Sequence, residues 1–177
     1  KGLSLLNLGR HSEAQASYIK AVKCDPTTDG YLAGLRQATE QLCKGTNEVN
    51  RQREAELQKA KGNEAMKAGQ VSLAIAYYTT SLAILLPVIS AQTQQHAAVY
   101  ASNRSACFAK LQQWTWAQAD AEEAKKFNPR WFKAHLRSAC ALLGQGHAEH
   151  AYKTYLHAAT LDNGYQEAMR EAQRTLW

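Results

Sequence analysis

Lys59, Asn63, Asn103, Lys133 and Arg137 are the side chains whose types and spacing suit a chemical task. Lysine and arginine supply positive charge and hydrogen-bond donors only, and an asparagine amide adds a neutral donor beside an acceptor. Three cations and two amides on one wall would grip carboxylates through charge-assisted bonds, which are stronger than neutral ones. Lys59 and Asn63 are four residues apart, as are Lys133 and Arg137, so each pair shares one face of a helix. No nucleophile–base pairing accompanies them. The chemistry on offer is the binding of an acidic peptide rather than catalysis, and it calls for no cofactor and no metal.

Such a wall needs helices that recur in register, and the chain supplies them. Ala117, Ala121, Ala124 and Pro129 return 34 residues later as Ala151, Tyr155, Ala158 and Asn163. The same internal spacing appears in Ala74, Tyr78, Ser81 and Leu86, and again in Ala14, Tyr18, Ala21 and Pro26. Three- and four-residue steps put these side chains on one helix face, where alanine lets a neighbouring helix come close. Proline ends the helix because it cannot continue the hydrogen-bond ladder. A second helix precedes each copy, predicted over 54–68, 98–111 and 132–143, with small residues Gly2, Gly62, Ser105 and Ala139 at matching places.

This pattern resembles the tetratricopeptide repeat, and the resemblance covers nearly the whole chain. It implies an all-α fold of helix-turn-helix repeats stacked in a right-handed superhelix, with the first helix of each repeat lining a concave groove. Leu86 and Asn163 in place of the terminal proline, and Ser105 in place of glycine, leave the frame intact.

The first copy begins at Lys1, already inside a helix, which predicts that the chain is part of a longer one. A further helix over 28–42 reads as a cap on that copy. Lys44-Gly45-Thr46-Asn47 then breaks the pattern, with Asn47 suited to cap the next helix. Residues 1–44 are accordingly predicted to be the last repeat and capping helix of an upstream unit. Residues 45–177 are predicted to be a three-repeat unit closed by a helix over 165–176. The step from Gly62 to Ser105 is 43 residues, nine more than the later period. The surplus, around 86–97, lacks glycine and is predicted to lengthen helices rather than form a loop.

Within that frame, the stretches Lys59-Ala60-Lys61-Gly62-Asn63, Ser102-Asn103-Arg104-Ser105 and Lys133-Ala134-His135-Leu136-Arg137 are similar to the carboxylate clamp of co-chaperone tetratricopeptide domains. The resemblance implies recognition of the Glu-Glu-Val-Asp C-terminus of cytosolic heat-shock chaperones of the 70 or 90 kDa class. Co-chaperones that organise these two classes, and those that join such repeats to a J-domain, have a comparable layout. Met66 and Ala106, one turn from the clamp positions, would contact an aliphatic side chain, and Lys110 an upstream acidic residue. The alternative within the same fold is a scaffold that binds an internal segment or a folded partner without reading a carboxylate terminus.

Composition supports this reading. The formal charge of +6 favours acidic partners, but the lysines and arginines form no dense block, which argues against nucleic acid. The longest apolar run, 82–89, contains Pro87 and is far short of the roughly 20 residues of a membrane helix. Cys24, Cys43, Cys107 and Cys140 show no paired ligand spacing, which suggests a reducing compartment, cytosol or nucleus. His147 and His150 sit at a turn without further ligands, and Gly144-Gln145-Gly146 follows no strand. Trp114 and Trp116 open a helix, where packing explains them better than base stacking.

Overall fold

The small residues of the repeat frame are small because an aromatic ring lies against them. In the computed structural model, which describes residues 1–88 and 90–161, a Cβ added at Gly62 would come within 2.7 Å of the Tyr78 ring. A Cβ on Gly2 would meet the Tyr18 ring at the same distance, 2.7 Å. Ser105 replaces this glycine by turning its hydroxyl to the facing helix, donating to the Ala117 carbonyl at 2.7 Å. Two such contacts were not foreseen: Gly34 also meets the Tyr18 ring, and Gly144 meets Trp114.

The elements are helical throughout the described residues. They run α1 (Gly2–Asn7), α2 (His11–Cys24), α3 (Asp29–Leu42), α4 (Glu48–Lys67), α5 (Val71–Leu85), α6 (Ala91–Lys110), α7 (Trp114–Phe127), α8 (Phe132–Gly144) and α9 (Ala148–Leu161). The predicted closing helix over 165–176 lies outside the described residues. None of the described helices is long and apolar enough to cross a membrane.

Each hairpin turn within a repeat is built alike. Gly9, Gly69 and Gly146 take φ of 70°, 73° and 84°, and Gln112 takes 58° at the matching place. Their N–H groups donate to Leu6, Met66, Leu143 and Ala109 carbonyls at 2.9–3.1 Å, satisfying the last carbonyls of each helix. Gln112 is the one of these four with a Cβ to accommodate in the left-handed region, where an L-residue costs about 1–2 kcal/mol.

Two helices start earlier than their periodicity predicts. The chain enters α4 at Glu48, not at residue 54, because the Asn47 side chain accepts the Asn50 N–H at 2.9 Å and starts the ladder there. For α6 the start is Ala91 and not 98. The nine surplus residues go into a short 3-10 turn at Leu86–Val88 and into added helix, as expected.

The chain divides into two compact units, Lys1–Tyr100 and Ala101–Trp177, and the division falls inside α6. In the first unit α5 is central. It packs on α4 and also on α2 and α3, and every residue from 74 to 85 except Tyr77 is buried. A helix apolar all round needs neighbours all round. Burying each large apolar side chain such as Ile75 or Leu82 contributes about 1.5–3 kcal/mol. Arg51, only 7% exposed, donates to the carbonyls of Cys43, Thr46 and Ile84 and ties α4 to the ends of α3 and α5. In the second unit α8 packs on both α7 and α9, and Ala139, Ala151 and Tyr155 form one buried cluster.

Candidate peptide-binding site

On α4 the two predicted residues are held by different means. Lys59 is part-buried, and its Nζ lies 2.8 Å from Glu56 Oε2. Asn63 accepts the Tyr78 hydroxyl at 2.7 Å through Oδ1, which leaves its Nδ2 hydrogens as donors. Tyr78 is the ring that packs on Gly62, so the same contact that closes the hairpin also orients the amide. Met66 is part-buried one turn further on.

Glu56 is the centre of a cluster that sequence periodicity did not single out. Its Oε1 accepts the Tyr100 hydroxyl at 2.7 Å and lies 2.8 Å from His96 Nδ1. His96 Nε2 is 3.1 Å from Gln52 Nε2. Burial raises the Glu56 carboxyl, but bonds from Lys59, Tyr100 and His96 outweigh it and hold the carboxyl below its usual range. Burial and the Glu56 charge together push the Tyr100 phenol well up, so it stays a donor. The Glu56–Lys59 spacing of three was the available signal. His96 and Tyr100 lie 40 and 44 residues downstream, and nothing local links them to it.

In the second unit Asn103, Ala106 and Lys110 lie on α6, with Asn103 and Ala106 part-buried and Lys110 exposed. Lys133 and Arg137 are exposed on α8, with no ion pair among the described residues. The Lys133 ammonium sits 6.0 Å from the Phe132 ring centre, a reach at which the ring face still attracts it. Burial pushes the Cys107 thiol up to about 12, while Lys110, Arg104 and Arg137 pull it down.

Arg104, next to Asn103, has a different task. It is 2% exposed and grips Asp120 with two bonds, Nε to Oδ2 at 2.8 Å and Nη2 to Oδ1 at 2.7 Å. Glu123 lies 3.6 Å away. Burial disfavours the guanidinium charge, and Asp120 more than restores it. In sequence Arg104 and Arg137 look alike. In the fold one is an internal brace and the other a surface donor.

Helix hairpins closed by ring-on-glycine contacts, repeated along the chain, define a helical-repeat protein. Residues 1–28 match the Tetratricopeptide repeat family. Heat shock protein STI1 of Saccharomyces cerevisiae is 33% identical over 120 residues, which is 66% of this chain and 19% of that protein. The crystal structure of the Sgt2 TPR domain from Aspergillus fumigatus matches with a TM-score of 0.60 at 30% identity, covering 69% of this chain and 76% of that one. The first TPR of Spaghetti (RPAP3), solved bound to the HSP90 peptide SRMEEVD, matches with a TM-score of 0.62 at 25% identity, covering 70% and 91%. The chain belongs to the tetratricopeptide repeat family. It spans 19% of the length of STI1.

Proposed function

We propose that the chain is a non-enzymatic co-chaperone adaptor that captures the acidic Glu-Glu-Val-Asp C-terminus of a heat-shock chaperone of the 70 or 90 kDa class. Lys59, Asn63, Asn103, Lys133 and Arg137 are its contact residues, with Met66, Ala106 and Lys110 as secondary contacts. The unit that acts is the three-repeat segment from residue 45 onward, working in cytosol or nucleus. The observation that carries this reading is on α8: Lys133 and Arg137, four apart and exposed, have no carboxylate to satisfy them among the described residues. Asn63, its oxygen taken by Tyr78, adds a donor. The likeness to STI1 and to a repeat domain solved with a peptide ending in Glu-Glu-Val-Asp supports the choice of ligand.

A free terminal carboxylate and an Asp side chain offer four acceptor oxygens, and each bond to a charged donor contributes about 1.5–3 kcal/mol. Ordering the peptide offsets much of that, so apolar contacts must add to it. The test is titration with a Glu-Glu-Val-Asp peptide carrying either a free or an amidated terminus. The free form should bind at least about ten-fold tighter, a difference that salt diminishes. Equal affinity for both forms would make the chain a scaffold for internal segments instead.

A further inference from the structure

Lys59 already has a carboxylate. Glu56 Oε2 lies 2.8 Å from its ammonium, and Glu56 cannot easily swing away, because Tyr100 and His96 hold its other oxygen at 2.7 and 2.8 Å. An ionised carboxylate only accepts, so His96 Nδ1 carries the proton, and His96 Nε2 accepts from Gln52 at 3.1 Å. The pair is half-buried rather than fully solvated, with side chains 25% and 37% exposed.

We infer that Glu56 is a specificity-determining residue that neutralises Lys59, so that this position favours an uncharged carbonyl oxygen over a carboxylate. This rests on the ligand reading above and refines it at one of the contact residues. An ammonium has three N–H donors, and one bond to Glu56 leaves two for a ligand. A peptide carbonyl or side-chain amide uses them with no charge conflict. An incoming carboxylate would sit beside the fixed charge of Glu56, and like charges in close proximity repel. Recognition of the ligand's full negative charge then falls to Lys133 and Arg137, which no internal carboxylate satisfies among the described residues.

The experiment compares the wild-type chain with Glu56→Gln. Glutamine retains an oxygen to accept the Tyr100 hydroxyl but removes the charge. With a peptide ending in Glu-Glu-Val-Asp, the variant should bind about two- to five-fold tighter at low salt, the range expected for releasing a partly exposed ion pair. The gain should vanish when Lys59→Ala is added. Unchanged or weaker binding in Glu56→Gln overturns the inference. Arg137→Ala on the wild-type background reports on the ligand reading alone, since it does not touch the α4 cluster. Should neither protein bind the peptide, the ligand reading fails. Labelling of Lys59 by an amine-reactive reagent, read by mass spectrometry, then decides the internal pairing. Faster labelling in Glu56→Gln supports it, and an unchanged rate overturns it.

Discussion

The cations of α4 and α8 stand on the first helices of two repeats, yet they differ in what they already hold. Lys59 has a partner three residues back on its own helix, and that partner is fixed by two residues of α6. Lys133 and Arg137 stand on an exposed helix face, with the Phe132 ring 6.0 Å from the Lys133 ammonium. A repeat frame fixes where a side chain is presented. The surroundings of that side chain, set by residues with no place in the frame, fix how much of its charge is available. Arg104 completes the lesson, for it is a cation in the same family of helices whose charge is wholly consumed indoors.

The sharpest way to break this distinction is to truncate the two arginines in parallel. Arg104→Ala strands Asp120, which is 5% exposed, and should cost about 3–5 kcal/mol in chemical denaturation. Arg137→Ala should leave stability within about 0.5 kcal/mol and instead lose about 1.5–3 kcal/mol of affinity for the acidic peptide, read by calorimetric titration. If the two variants exchange phenotypes, brace and donor have been assigned the wrong way round.

Gly62→Ala would drive a Cβ against the Tyr78 ring, whose hydroxyl is anchored on Asn63, and should destabilise by about 1–3 kcal/mol in thermal unfolding. Gln112→Gly has the opposite sign: relieving the left-handed backbone should stabilise by about 0.5–1 kcal/mol, less than the intrinsic strain because glycine loses more freedom on folding. The smallest effect concerns pH. Burial lowers the His135 imidazole below its ordinary 6.5, with Lys125 and His157 pushing the same way and the Pro129 carbonyl and Glu122 opposing. Its folded value lies below the unfolded one, so the stability it confers is complete above 6.5 and is lost as pH falls through the folded value. The midpoint of thermal unfolding should therefore fall as pH drops below 6.5, and His135→Gln should flatten that fall. The lowered carboxyls Glu56 and Glu122 act only below their ordinary 4.5, which separates the two effects.

Much of the fold was readable because it is periodic. Alanines 14, 74, 117 and 151 are all fully buried, as their spacing requires, and Asn47 caps its helix through its own side chain. What escaped reading was aperiodic. The contact of Gly34 with Tyr18 needs a third helix folded back onto the first pair. The early starts of α4 and α6 come with polar side chains that outreach the apolar pattern: Asn47 accepts the Asn50 N–H, and the Thr93 hydroxyl accepts the Ser90 N–H. The identities of the candidate contact residues were visible in the sequence. The state of Lys59 was not, because Glu56 owes its fixed position to residues about forty positions away.

Arg51 carries a last implication. One guanidinium clasps carbonyls at the end of α3, in the following turn and at the end of α5. A connector braced in this way acts as a lever rather than a swivel. Removing that guanidinium in Arg51→Ala would leave all three carbonyls without it and loosen the joint between the first hairpin and α4.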